Sequence, residues 1–73
     1  MVNDRDGFGT KEVRALLRAV DKRNADVTFT RTGGGHMRVK APGLPPVIVS
    51  QGNADYHAAK RAAKELRKAG YNV

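Results

Sequence analysis

The sequence predicts an α+β domain of order α-β-β-β-α, a three-stranded antiparallel sheet with two helices packed on one of its faces. Three observations predict it. Apolar residues recur at helical spacing in two stretches, Thr10 to Asn24 and Asn53 to Gly70. Between them the apolar period changes to two. Two turn signals, Gly33-Gly34-Gly35 and Pro42-Gly43, then cut the middle stretch into three short segments.

Residues 1–9 (MVNDRDGFG) carry no periodicity and read as a flexible leader, with Phe8 tucked against the first helix. Residues 10–73 form a single domain. Thr10 is placed to N-cap the first helix, and Glu12 sets a carboxylate near its positive end. Val13, Leu16, Leu17 and Val20 then mark one buried face, and the helix ends near Asn24. From Asp26 the first strand points Val27 and Phe29 inward and Thr28 and Thr30 outward. The second strand buries Met37, Val39 and Ala41, which leaves His36, Arg38 and Lys40 on its other face. Pro42-Gly43 suits a type II turn, because proline presets φ at the first central position and glycine accepts φ > 0 at the next. Val47 to Ser50 is the third strand. In the second helix Asn53 is the expected cap, Asp55 lies in the first turn, and Tyr56, Ala59, Ala63 and Leu66 form the buried stripe. Gly70 is the expected left-handed terminator, folding Tyr71 back on Leu66.

Bulk properties narrow the function classes. A 73-residue chain buries only about 60% of its unfolded surface, so a deep internal substrate cavity is not expected. There is no cysteine, hence no disulfide and no thiolate metal site, and His36 and His57 lack zinc-ligand spacing. Neither metal nor cofactor is expected. No apolar run approaches membrane-spanning length, and no secretion signal opens the chain, so a cytoplasmic protein without membrane contact is expected. Fourteen Lys and Arg against seven Asp and Glu give a net charge of +7, which favours a polyanionic partner.

The cations are arranged in rows. At about 100° per residue, His57, Lys60, Arg61, Lys64 and Lys68 fall within an arc of about 100° on the second helix, uninterrupted by an acid. On the first helix Lys11, Arg14, Arg18 and Lys22 fall within about 80°. Amphipathic helices need a solvated face in any case. Such a face usually mixes signs, however, and like charges four residues apart cost a few tenths of a kcal/mol each. Arg14 with Arg18, Lys60 with Lys64, and Lys64 with Lys68 all accept that cost. A binding surface accounts for it. The second helix offers mostly alanine for insertion, which argues against membrane binding. Few aromatics are spare for base stacking, so phosphate and sugar contacts are expected to dominate.

Three successive glycines let the chain turn sharply and bring backbone N–H groups close to a ligand. Plain hairpin geometry accounts for Gly33, Gly34 and Gly35 equally well. What they add is His36 on a flexible loop, beside Arg38 and Lys40.

Lys11-Glu12-Val13 with Leu16-Leu17, a strand, Gly33-Gly34-Gly35-His36 opening a second strand, and a closing helix ending Lys68-Ala69-Gly70-Tyr71 together resemble the HicA toxins over about Thr10 to Tyr71. That resemblance implies the fold of a double-stranded-RNA-binding domain, ribosome-independent mRNA endonuclease activity and restraint by a HicB-like antitoxin. The family's active histidine follows the glycine of its strand-opening motif and maps onto His36. HicA members often read Gly-Ser-His-His where this chain has Gly-Gly-His-Met. The Ala/Lys-rich second helix, with Ala59-Lys60 and Ala62-Ala63-Lys64, also resembles the phosphate-gripping helix of double-stranded-RNA-binding domains.

Two main readings follow. In the first, neutral His36 is the general base of an endoribonuclease, with Arg38 and Lys40 stabilising the phosphorane. In the second, a non-catalytic module binds structured RNA, or DNA, through both helix rows and the Gly33 to His36 loop. A third is a basic protein that docks on an acidic one, either an antitoxin or a host factor.

Overall fold

The computed structural model describes residue 5, residues 7–50 and residues 57–73. Its elements are α1 (Lys11–Arg23), β1 (Thr28–Arg31), β2 (His36–Lys40), β3 (Val47–Ser50) and α2 (Ala58–Lys68), the predicted α-β-β-β-α order. Thr10 caps α1, its Oγ1 accepting from Val13 N–H at 3.3 Å, and Val13, Leu17 and Val20 are fully buried. The described helix α2 starts at Ala58 with His57 at its cap position. The expected cap Asn53, Asp55 and Tyr56 lie outside the described residues. At the other end Gly70 has φ +103°, Gly70 N–H donates to Arg67 O at 3.1 Å and Tyr71 N–H to Leu66 O at 3.0 Å. That pair of bonds is a Schellman motif, and it folds Tyr71 onto the helix as expected.

The sheet runs β1-β2-β3, antiparallel throughout. Phe29, Val39 and Val47 align across it, as do Met37 and Val49 in the next inward row. All five belong to one core with Val13, Leu17 and Val20 of α1 and Leu66 of α2, so both helices cover the same sheet face. Ala58 is buried, and Ala59 and Ala62 pack against the core, whereas Ala63 is half-buried. The opposite face carries Thr28, Thr30, His36, Arg38, Lys40, Ile48 and Ser50, and neither α1 nor α2 covers it.

Packing begins earlier than the composition suggests. Phe8 is 1% exposed, and the Arg31 guanidinium lies 5.6 Å from its ring centroid. Arg5 pairs with Asp21 at 2.9 Å and lies over the Phe29 ring at 5.7 Å. These aromatic and ionic contacts draw the described part of residues 1–9 onto the domain.

Tyr71 closes the opposite end. Extending the β2–β3 register places Pro45 opposite Ala41. There the buried Tyr71 hydroxyl accepts from Ala41 N–H at 3.2 Å and lies 2.8 Å from Pro45 O and 3.2 Å from Val39 O. It takes the place of a ladder hydrogen bond where the strands part. Ala41 O instead accepts from Leu44 N–H at 3.1 Å, and Gly43 has φ +79°, consistent with the predicted type II turn.

Candidate nucleic-acid interface

The glycine hairpin has a specific form. Gly33, Gly34 and Gly35 have φ of +82°, +65° and +76°. His36 N–H donates to Gly33 O at 3.4 Å, which makes Gly34 and Gly35 the central pair of a turn whose positive φ values match type I′. Thr32 N–H donates to His36 O at 3.1 Å, so Thr32 and Gly33 together oppose His36 as in a β-bulge. A side chain with a Cβ is strained at each of these glycines. His36 itself is exposed, and its ring lies against the hairpin: a Cβ on Gly34 would stand 3.4 Å from Nδ1. The imidazole has no hydrogen-bond partner among the described residues.

Element directions decide what gathers around this histidine. Phe8, just before α1, packs beside Arg31, the last β1 residue before the loop, so α1 begins at the hairpin end. Ser50, the last residue of β3, pairs with His36. The C-terminus of α2 is tied through Tyr71 to Val39, Ala41 and Pro45 at the far end, so α2 also runs away from the hairpin. Lys11 and Arg14 of α1 and His57, Lys60 and Arg61 of α2 therefore lie toward the hairpin end, and Lys22 and Lys68 toward the other. Arg18 and Lys64 fall between. All nine are exposed, and α2 has no acid in its first turn. Both positive helix ends face the same region as the hairpin.

Two predicted contacts have other employment. The Lys40 ammonium donates to Ala41 O at 2.8 Å and to Leu44 O at 2.6 Å, which ties it into the Pro42-Gly43 turn, away from His36. Arg14 Nη1 donates to Gly9 O at 2.7 Å, which holds its guanidinium at the start of α1. Arg38 is exposed two residues along the strand from His36 and on the same face.

Arg31 and Ser50 are near neighbours of the site that the sequence reading passed over. Arg31 stands two residues before the glycine run, and that proximity was its available signal. Ser50 reaches His36 only through the β2–β3 register. Among the described residues no group of three or more His, Asp or Glu could hold a metal ion, and no helix is long and apolar enough to cross a membrane.

Comparison with family models, with curated proteins and with solved structures finds no match to this chain.

Proposed function

We propose that the protein is a HicA-like RNA-binding protein of the cytoplasm that grips the sugar-phosphate backbone of structured RNA at its hairpin end and cleaves it with His36. The observation that carries this reading is the shared direction of α1 and α2, which gathers two cationic helix starts around an exposed histidine on a glycine turn. Lys11, His57, Lys60 and Arg61 hold phosphates there, and Arg18, Lys64, Lys22 and Lys68 extend the track along the helices. Contacts of this kind make affinity steeply salt-dependent and weakly dependent on sequence.

In the cleavage step a neutral His36 imidazole accepts the proton of a ribose 2′-OH. The 2′-oxygen forms a bond to the adjacent phosphorus as the P–O5′ bond breaks, and the leaving oxygen takes a proton from solvent. The products are a 2′,3′-cyclic phosphate and a free 5′-OH. An unperturbed imidazole titrates near neutral pH, and a positioned base supplies about 10²- to 10⁴-fold. Arg38 is the cation on the same strand face that can meet charge developing on the phosphorane.

A non-catalytic RNA-binding module is the second reading, and one observation favours it. A general base is usually oriented by a third group, whereas the His36 ring has no hydrogen-bond partner among the described residues. Incubating the protein and a His36→Ala variant with a labelled RNA hairpin separates the two. Loss of 2′,3′-cyclic-phosphate ends in the variant, with binding retained, supports cleavage by His36. Binding without any product supports the module, and no measurable RNA binding by either protein overturns both. A HicB-like antitoxin remains the partner to seek in a co-purification from nuclease-treated lysate.

A further inference from the structure

His36 and the helix cations stand on opposite sides of the sheet. Met37 and Val39 point into the core shared with α1 and α2, so the alternate residues His36 and Arg38 point to the other face, and both are exposed. Lys11 at the start of α1 and Lys60 near the start of α2 lie on the helix side, toward the hairpin end. What separates the two sides at that end is the turn Gly33-Gly34-Gly35, from which no side chain rises. Beyond the turn, Arg38 is flanked across the strands by Thr30 of β1 and by Ile48 of β3, which is 54% exposed. Among the described residues of that face none is acidic.

On the reading that this protein binds RNA, we propose that its ligand is a duplex with a single-stranded extension. The duplex lies at the two helix starts, and the extension crosses the glycine turn and runs along the outer face of β2. A duplex is too stiff to follow so tight a bend from the helix side to the imidazole, whereas a strand that has left its complement bends freely. Two residues of a β-strand advance about 6.7 Å, close to one nucleotide step of an extended strand, so His36 and Arg38 meet neighbouring phosphodiesters. The track is short. Lys40 is next in phase, but its ammonium is held by Ala41 O at 2.8 Å and by Leu44 O at 2.6 Å. Thr30 and Ile48 border Arg38 on either side, and neither offers an aromatic ring, so the extension is held by phosphate and sugar with its bases unread. Charge also favours a polyanion over a second copy of this chain, since each copy carries +7.

The probe is a short RNA duplex, blunt or carrying a tail of about four nucleotides on its 3′ or its 5′ end, with deoxyribose in the tail so that no 2′-oxygen there attacks. Affinity is measured by fluorescence anisotropy over a range of salt, with backbone amide NMR in parallel. One of the two tails is expected to raise affinity at least about threefold over the blunt duplex at low salt. It should also steepen the slope of log affinity against log salt by about 0.7 to 1.4, as one or two added single-strand phosphates require. The Thr30, Arg38 and Ile48 amides are expected to move with the tailed duplex and to stay in place with the blunt one, a comparison made on the unaltered protein. Arg38→Gln should cost the tailed duplex at least about threefold more affinity than it costs the blunt one, whereas Lys60→Ala with Lys64→Ala should weaken both by the same factor. Blunt and tailed duplexes that bind within about twofold of each other, or that move those amides equally, overturn this inference and leave the RNA reading standing. Failure of every duplex to bind overturns both. Movement of the same amides by polyglutamate and not by the tail also overturns it, since that gives the face to an acidic protein.

Discussion

Replacing Tyr71 by Phe removes one oxygen atom from a place where three backbone groups depend on it. The ring is 3% exposed, and its Schellman anchorage to Leu66 is independent of the hydroxyl, so the packing is kept. What is lost is the acceptor for Ala41 N–H at 3.2 Å and the donor to Pro45 O at 2.8 Å or Val39 O at 3.2 Å. Val39 O is placed for its β-ladder bond, and Pro45 is exposed at the strand end, where water can replace the hydroxyl. The Ala41 N–H is therefore the group left stranded. A buried donor without a partner costs about 1–3 kcal/mol, so about 2 kcal/mol is expected, which for a domain this size lowers Tm by about 8 to 16 °C.

The same hydroxyl predicts an alkaline signature. Burial raises the Tyr71 pKa above its usual 10.0, partly countered by the hydrogen bond from Ala41 and by the charge of Arg38. An acid whose pKa is higher folded than unfolded contributes stability that is fully present below about pH 10 and is lost as pH climbs toward the folded value. Thermal melts of both proteins, followed by far-ultraviolet circular dichroism from about pH 7 to about pH 11, test this. Taking the difference between them cancels the lysines, which both share. The stability gap between wild type and Tyr71→Phe should be flat to about pH 10 and narrow above it. A gap under about 0.5 kcal/mol at neutral pH, or one that widens in alkali, refutes the reasoning.

Three other outcomes can be checked with the same preparations. Lys60→Ala combined with Lys64→Ala should weaken RNA binding and shallow the slope of log affinity against log salt by about 1 to 2; an unchanged slope removes α2 from the contact. Gly33→Ala and Gly34→Ala should each cost about 1 kcal/mol, because both sit at positive φ, but only Gly34→Ala crowds the imidazole. Histidine ring resonances in NMR should therefore move in Gly34→Ala alone, and equal shifts in both variants would contradict the hairpin geometry. Asp21→Asn breaks the part-buried pair with Arg5 and should lower stability by about 1 kcal/mol in urea titrations, a loss that shrinks in salt.

Much of the fold was legible because each element announces itself locally. The spacing of Val13, Leu17 and Val20, the alternation of Met37 and Val39, and the Gly70 terminator all express backbone periods of 3.6 or 2 that do not depend on distant residues. The candidate site was legible only in part. His36, Arg38 and the exposed helix cations stand where the patterns put them. Lys40 shares the outward phase of its strand, but its ammonium is captured by carbonyls across the Pro42-Gly43 turn. Phe8 lies outside any periodic segment, and its burial arises from Arg31 and the core.

By itself, the sequence determined which stretches are helix or strand, which faces they bury, and that an excess of positive charge must remain on the surface, since these follow from residue spacing and composition. Only the tertiary structure decided which of those charges meet. Both helices start at the hairpin end because of a Phe8–Arg31 contact at one pole and the Tyr71 hydroxyl at the other, bonds between residues 23 and more than 25 positions apart. It also decided that β3 packs against α2 as the last strand of the described sheet, with Ile48 exposed. Such pairings depend on register and packing over long separations, to which a local period carries no signal.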